Sequence, residues 1–132
     1  MTESPPLPGG DLEYAVLNVL WASGPVSARA IYAQIGHPRG LVYTTIATVL
    51  DRLHAKGLVS RRKVGQAFTY TAAMPRERVE RARADHTLRH LFGDEPLPAI
   101  ARLVEAIEDI DPALMRELTR QVAARRKTRH GS

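Results

Sequence analysis

Residues 43–70 read YTTIATVLDRLHAKGLVSRRKVGQAFTY, from Tyr43 to Tyr70. Ile46, Val49, Leu50 and Leu53 recur at the i, i+3, i+4, i+7 spacing of a helix with one apolar stripe. At about 100° per residue, Thr44, Ala47, Thr48, Asp51 and Ala55 point away from that stripe, and Thr45, Arg52 and Lys56 flank it. The outward face is short, hydroxylated and basic-edged. It suits close approach to a DNA major groove, where hydroxyls and Arg can meet base edges and phosphates. Gly57 stands where a left-handed residue would close the helix. Leu58–Lys63 and Ala67–Thr71 then read as two strands joined across Val64-Gly65-Gln66, with Phe68 and Tyr70 alternating onto one face.

Working outward, Asp11 reads as the N-cap of a first helix reaching Trp21, with Leu12, Ala15, Val16, Val19 and Leu20 on its apolar side. Gly24-Pro25 breaks it, Val26 suits a single strand residue, and Ser27 caps a second helix over 28–35. Gly36-His37-Pro38-Arg39-Gly40 is a turn into the helix at Tyr43. Helix, helix, turn, helix and basic hairpin together predict a winged helix over residues 11–73. Residues 1–10 read as a flexible leader, with neither the basic start nor the apolar core of a signal peptide.

Downstream, Pro75 suits the first position of a helix over 76–92. A second helix over 97–107 carries Ile100, Leu103, Val104 and Ile107. Asp111-Pro112 opens a third, with Leu114, Met115, Leu118 and Val122. Residues 74–126 thus form a three-helix region, and 127–132 a basic, frayed tail. The region holds more apolar surface than a short helical hairpin can cover. Pairing with a second copy through Leu91, Phe92, Ile100, Leu103, Val104, Ile107, Leu114 and Leu118 is the expected solution, and a two-fold dimer its simplest form. The other solution folds these helices back over the winged helix of the same chain. The expected fold is mainly α with a small β-hairpin.

Composition narrows the function. The chain has 132 residues, 44% hydrophobic and 25% charged, which fits one globular domain or one domain with an appendage. No stretch approaches the roughly 18 apolar residues that span a bilayer, so a cytoplasmic protein without a membrane partner is expected. The absence of cysteine excludes disulfides, thiolate metal sites and cysteine nucleophiles. The net charge of +5 favours polyanionic partners. Its distribution says more, because Arg52, Lys56, Arg61, Arg62 and Lys63 follow one another with no acidic residue between them.

Catalytic patterns are missing. There is no phosphate-binding glycine loop, GxSxG or HExxH, and the carboxylates Glu108, Asp109 and Asp111 cluster at a helix cap, where they complement the dipole. His86 and His90 share a helix face at i, i+4, a spacing that can hold a metal ion or haem with Asp85 behind a ring. Two ligands make no site, and solvated or interface-packing histidines are the reading preferred here. Neither an enzyme nor a resident cofactor is expected.

With these segments in place, the chain resembles the penicillinase-repressor family of bacterial regulators, which includes the BlaI, MecI and copper-responsive CopY branches. LEYAVLNVLW, YTTIATVLDRLHAKGLV and RRKVGQAFTYTA carry the resemblance, which runs from about Leu12 to Arg126. It implies a homodimeric winged-helix repressor of transcription on an inverted-repeat operator, each recognition helix in a major groove. By motif match, Tyr43, Thr44, Thr45, Thr48 and Arg52 face DNA. Arg61, Arg62, Lys63 and Gln66 fall in the wing, and Arg39 lies in the preceding turn. The family's switching devices are absent. Arg102-Leu103 stands where penicillinase repressors carry a cleaved Asn-Phe bond, and the cysteine cluster of the copper branch has no counterpart. The release signal could come from an upstream sensor or a small inducer. The alternatives are a directly metal- or haem-responsive repressor using His86 and His90, and a winged-helix protein-interaction module with a solvated wing.

Overall fold

A computed structural model describes residues 6–131, in which six α-helices accompany a three-stranded antiparallel sheet. In chain order these are α1 (Asp11–Ala22), β1 (Val26–Ser27), α2 (Ala28–Ile31), α3 (Tyr43–Ala55), β2 (Val59–Val64), β3 (Ala67–Ala72), α4 (Arg76–Phe92), α5 (Pro96–Ile110) and α6 (Pro112–Gly131). The chain forms two compact units that divide between Asp85 and His86.

In the first unit, the stripe of α3 is the floor of the core. Ile46, Val49, Leu50 and Leu53 are all buried, against Val16, Leu17 and Leu20 of α1, Ile31 of α2, and Leu58, Val59, Tyr70 and Val79. Burying one such side chain is worth roughly 1.5–3 kcal/mol. The helix ends in a Schellman motif. Gly57, at φ 76°, donates to the His54 carbonyl at 3.0 Å, and Leu58 donates to the Leu53 carbonyl at 2.9 Å. That bond turns Leu58 into the core and launches β2. The sheet order is β1-β3-β2, with Val26 opposite Tyr70 and Arg61 opposite Tyr70 on its other side. The Trp21 indole N–H donates to the Met74 carbonyl at 2.8 Å, tying α1 to the chain leaving the wing.

Several elements differ from the sequence expectations. Gly10, not Asp11, is the N-cap of α1, and Asp11 lies in the acidic first turn, where the dipole favours it. The Glu13 carboxylate reaches back to accept from the Gly9 amide. The expected helix over 28–35 is α-helical only to Ile31. It widens into a π-helical stretch over Tyr32–Gly36, where the His37 amide reaches back to the Tyr32 carbonyl, and a 3-10 turn follows over His37–Arg39. Pro38 has no N–H to continue the ladder, so the chain changes pitch here. Ser27 does cap α2, its hydroxyl accepting from Ala30 at 3.1 Å.

The hairpin turn has two residues, Gly65-Gln66, rather than three, because Val64 pairs with Ala67. Leu58 precedes β2 because the Schellman bond uses its amide. Pro75 precedes α4 rather than opening it, its carbonyl accepting from Arg78 at 3.1 Å. Residues 1–5 of the expected flexible leader lie outside the described residues. Its remainder is held in place: Pro8 is buried, and the Leu7 carbonyl accepts from the Lys56 ammonium at 3.1 Å.

In the second unit, α5 and α6 pack on each other. Asp111 caps α6 through a 2.9 Å bond from the Ala113 amide. α6 runs to Gly131, so the described part of the expected frayed tail is helical. The apolar faces stay largely uncovered: Leu97 is 77% exposed, Ile100 46%, Ile110 75% and Leu114 47%.

Gly36 is closely packed between Tyr32 and Ile46. A Cβ there would lie 2.6 Å from Cδ1 of Tyr32 and 2.9 Å from Cγ1 of Ile46. Gly36→Ala is therefore expected to cost about 1–3 kcal/mol in urea unfolding. Gly24→Ala, with nothing within 4 Å of the new atom, should stay within about 0.5 kcal/mol of wild type.

Candidate nucleic-acid interface

With its stripe buried, α3 presents the opposite face to solvent. Thr44, Thr48, Asp51, Arg52 and Ala55 are exposed, while Thr45 and Ala47 are half-buried. Tyr43 opens the helix at 37% exposure, with the Arg29 guanidinium 5.1 Å from its ring centre and the Tyr32 ring edge-on at 5.9 Å. The Thr48 hydroxyl donates to the Thr44 carbonyl at 2.9 Å. Its hydrogen is thereby committed to the helix, leaving an acceptor oxygen and a methyl group for any partner. An open groove of about 520 Å³ runs beside the helix, bounded by Thr44, Thr45, Thr48 and Arg52 on one side and by Gly9 and Gly10 on the other.

The basic run divides by what each cation meets. Lys56 turns inward to Glu13 at 3.3 Å, and the Glu13 side chain is only 7% exposed. Arg61 bonds Asp51 of α3 at 3.4 Å and lies 4.6 Å over the Phe68 ring. Its pairing opposite Tyr70 places it on the sheet face that reaches the helices, together with Lys63, which pairs opposite Phe68. Arg62 pairs opposite Thr69 and so points to the other face. Arg52, Arg62 and Lys63 have no carboxylate partner among the described residues. Arg39 donates to the Ile35 carbonyl at 3.0 Å, and Gln66 is exposed in the wing turn.

The sequence residues proposed to face DNA are thus gathered on α3, the turn before it and the wing. Lys56, counted in the basic run, is instead structural. The signal for this was Glu13 itself, a carboxylate placed among Val16, Leu17 and Leu20 on the apolar side of α1, which must find a cation once buried. His86 and His90 are exposed on α4, and no group of three or more His, Cys, Asp or Glu that could hold a metal exists among the described residues. No helix among them is long and apolar enough to cross a membrane.

A chain of this design can lay α3 in a major groove and set cations of the wing against phosphates. Comparisons with known proteins point the same way. The family model described as "Penicillinase repressor" matches residues 9–124. The transcriptional regulator BlaI of Mycobacterium tuberculosis is 38% identical over 69 residues, covering 52% of this chain and 50% of that protein. The penicillinase repressor of Staphylococcus aureus is 26% identical over 83 residues, covering 63% and 66%. The solution structure of the DNA-binding domain of the repressor BlaI matches with a TM-score of 0.50 at 26% identity, covering 59% of this chain and 93% of that one. The chain thus spans from half to about two thirds of the length of these curated relatives.

The division of the basic run has a measurable consequence. Lys56→Ala leaves a buried carboxylate unpaired and is expected to cost roughly 1–3 kcal/mol, less than a fully buried pair because Lys56 is 30% exposed. Arg62→Ala should change stability by less than about 0.5 kcal/mol. Chemical denaturation of both variants checks the assignment.

Proposed function

The chain belongs to the penicillinase repressor family, and from that premise we propose that it is a sequence-specific DNA-binding repressor of transcription, acting in the cytoplasm as a homodimer on an inverted-repeat operator. The observation that carries the proposal is the outward face of α3, short and hydroxylated, together with Arg52 on that helix and Arg62 and Lys63 in the wing, none of which meets a carboxylate among the described residues. Unpaired cations beside a groove-sized helix are what a phosphate backbone requires.

Roles divide by chemistry. Thr44, Thr45 and Thr48 offer methyl groups and hydroxyl oxygens to base edges, the thymine methyl being the natural partner of a Thr methyl. Arg39, Arg52, Arg62 and Lys63 neutralise phosphates, Tyr43 fixes the start of the helix, and Gln66 reaches the backbone from the wing turn. Arg61 serves mainly to hold the wing on α3 through Asp51. Dimerisation is assigned to the second unit, where Ile100 and Leu114 are about half exposed, and Leu91, Phe92, Leu103, Val104, Ile107 and Leu118 complete the apolar surface. Two linked reading heads address two half-sites, which is the reason for an inverted repeat.

DNA titrations test this reading, with a duplex selected from a random library and a random-sequence duplex of equal length. Arg62→Ala or Lys63→Ala should weaken both duplexes alike and lower the slope of log K against log salt by about 0.9 per phosphate lost. Thr44→Ala or Thr48→Ala should erode the preference for the selected duplex by roughly 1–3 kcal/mol per base contact. Equal effects of all four changes on both duplexes would remove the base-reading assignment. In sedimentation equilibrium, Ile100→Asp and Leu114→Asp are expected to shift the protein from dimer to monomer. A monomeric wild type would overturn the dimer.

A further inference from the structure

Arg29 is a cation of the helix-turn-helix that neither the basic run nor the family motif includes. It is exposed on α2, fourteen positions ahead of Tyr43, yet its guanidinium lies 5.1 Å from the centre of the Tyr43 ring. Tyr32 braces that ring edge-on at 5.9 Å and itself meets His37 at 6.1 Å. The widened π-helical turn over Tyr32–Gly36 belongs to this junction between α2 and α3. Single π turns of this kind occur frequently at functional sites. No carboxylate among the described residues pairs with Arg29.

We infer that Arg29, held over Tyr43, is a further DNA phosphate contact, at the leading end of α3, whereas the wing meets the helix further along at Asp51. The inference rests on the DNA-binding reading above. A cation over an exposed ring is worth only about 0.5–1 kcal/mol, so the stack adds little stability. It does hold a long side chain in one place while leaving guanidinium donors free for phosphate oxygens. Arg39, in the 3-10 turn of the same junction, bonds a neutral acceptor, the Ile35 carbonyl.

The spacing supports a grip at two points along the helix. Arg29 marks α3 at Tyr43, and the wing is tied to α3 at Asp51, eight residues further along. At 1.5 Å per residue that separation is about 12 Å. Cations at both positions would hold the helix at two points and so set its angle in the groove.

Titration of the full-length protein with the selected and random duplexes between 50 and 200 mM salt tests the inference. Arg29→Ala should lower the salt slope by about 0.9 on both duplexes, so that wild type loses about 3.5-fold more affinity than the variant across that range. Arg29→Gln should behave the same way, and Arg29→Lys should keep the wild-type slope. Thermal melting within about 3 °C of wild type would show that the fold is intact. An unchanged slope in Arg29→Ala, alongside a lowered slope in Arg62→Ala, would overturn the role of Arg29 and leave the DNA-binding reading standing. A wild type without salt-dependent DNA binding would overturn both.

Discussion

Burial of one side of α3 is the constraint from which the first unit follows. Ile46, Leu50 and Leu53 are wholly inaccessible and Val49 nearly so. The helix therefore cannot rotate about its axis without exposing several apolar side chains at once, at roughly 1.5–3 kcal/mol each. Its rotation in turn decides which residues can meet a partner. At the leading end, Gly36 lets the preceding turn approach Ile46 closely. At the trailing end, the bond from Leu58 to Leu53 places the first wing residue beside the last core residue. The wing thus follows α3 directly through the backbone and meets it again at the exposed ion pair between Arg61 and Asp51.

The basic residues serve two purposes that composition cannot separate. Lys56 is a structural cation whose partner, Glu13, would otherwise be a lone charge beside the core. By gripping the Leu7 carbonyl as well, it brings Gly9 and Gly10 alongside α3. Arg62 and Lys63 meet no acidic group among the described residues, although they neighbour Arg61, which does. Strand alternation sends Arg62 to one face of the wing and Lys63 to the other. Two adjacent cations can therefore reach different phosphates rather than compete for one.

Much of this was readable from residue order. The stripe of α3, the glycine after it, the Ser27 cap and the bounds of α4 depend on local periodicity and capping, which act over a few residues. The details that escaped depend on contacts between distant segments. Helix α2 changes pitch because Pro38 lacks a donor and Tyr32 must pass Gly36, and neither fact shows in a periodicity. The N-cap of α1 moved to Gly10 because Glu13 is drawn to Gly9 and Lys56, far apart in sequence. Of the residues proposed to face DNA, the α3 set was visible as a face. The separation of Arg61 from Arg62 and the approach of Arg29 to Tyr43 were not, since both depend on how elements pack.

Asp51 carries a lesson for anyone wishing to redirect this protein to another sequence. It is exposed, outward-facing and acidic, so a library built on the solvent side of α3 would naturally randomise it along with Thr44 and Thr48. Yet its carboxylate also meets Arg61 of the wing at 3.4 Å, and without it Arg61 would stand beside the outward face of α3 with no carboxylate partner among the described residues. On the DNA-binding reading proposed above, variation at Asp51 would add a cation that any phosphate backbone can use. On the same reading, a transplant of specificity is better confined to the threonines, with Asp51 retained beside Arg61.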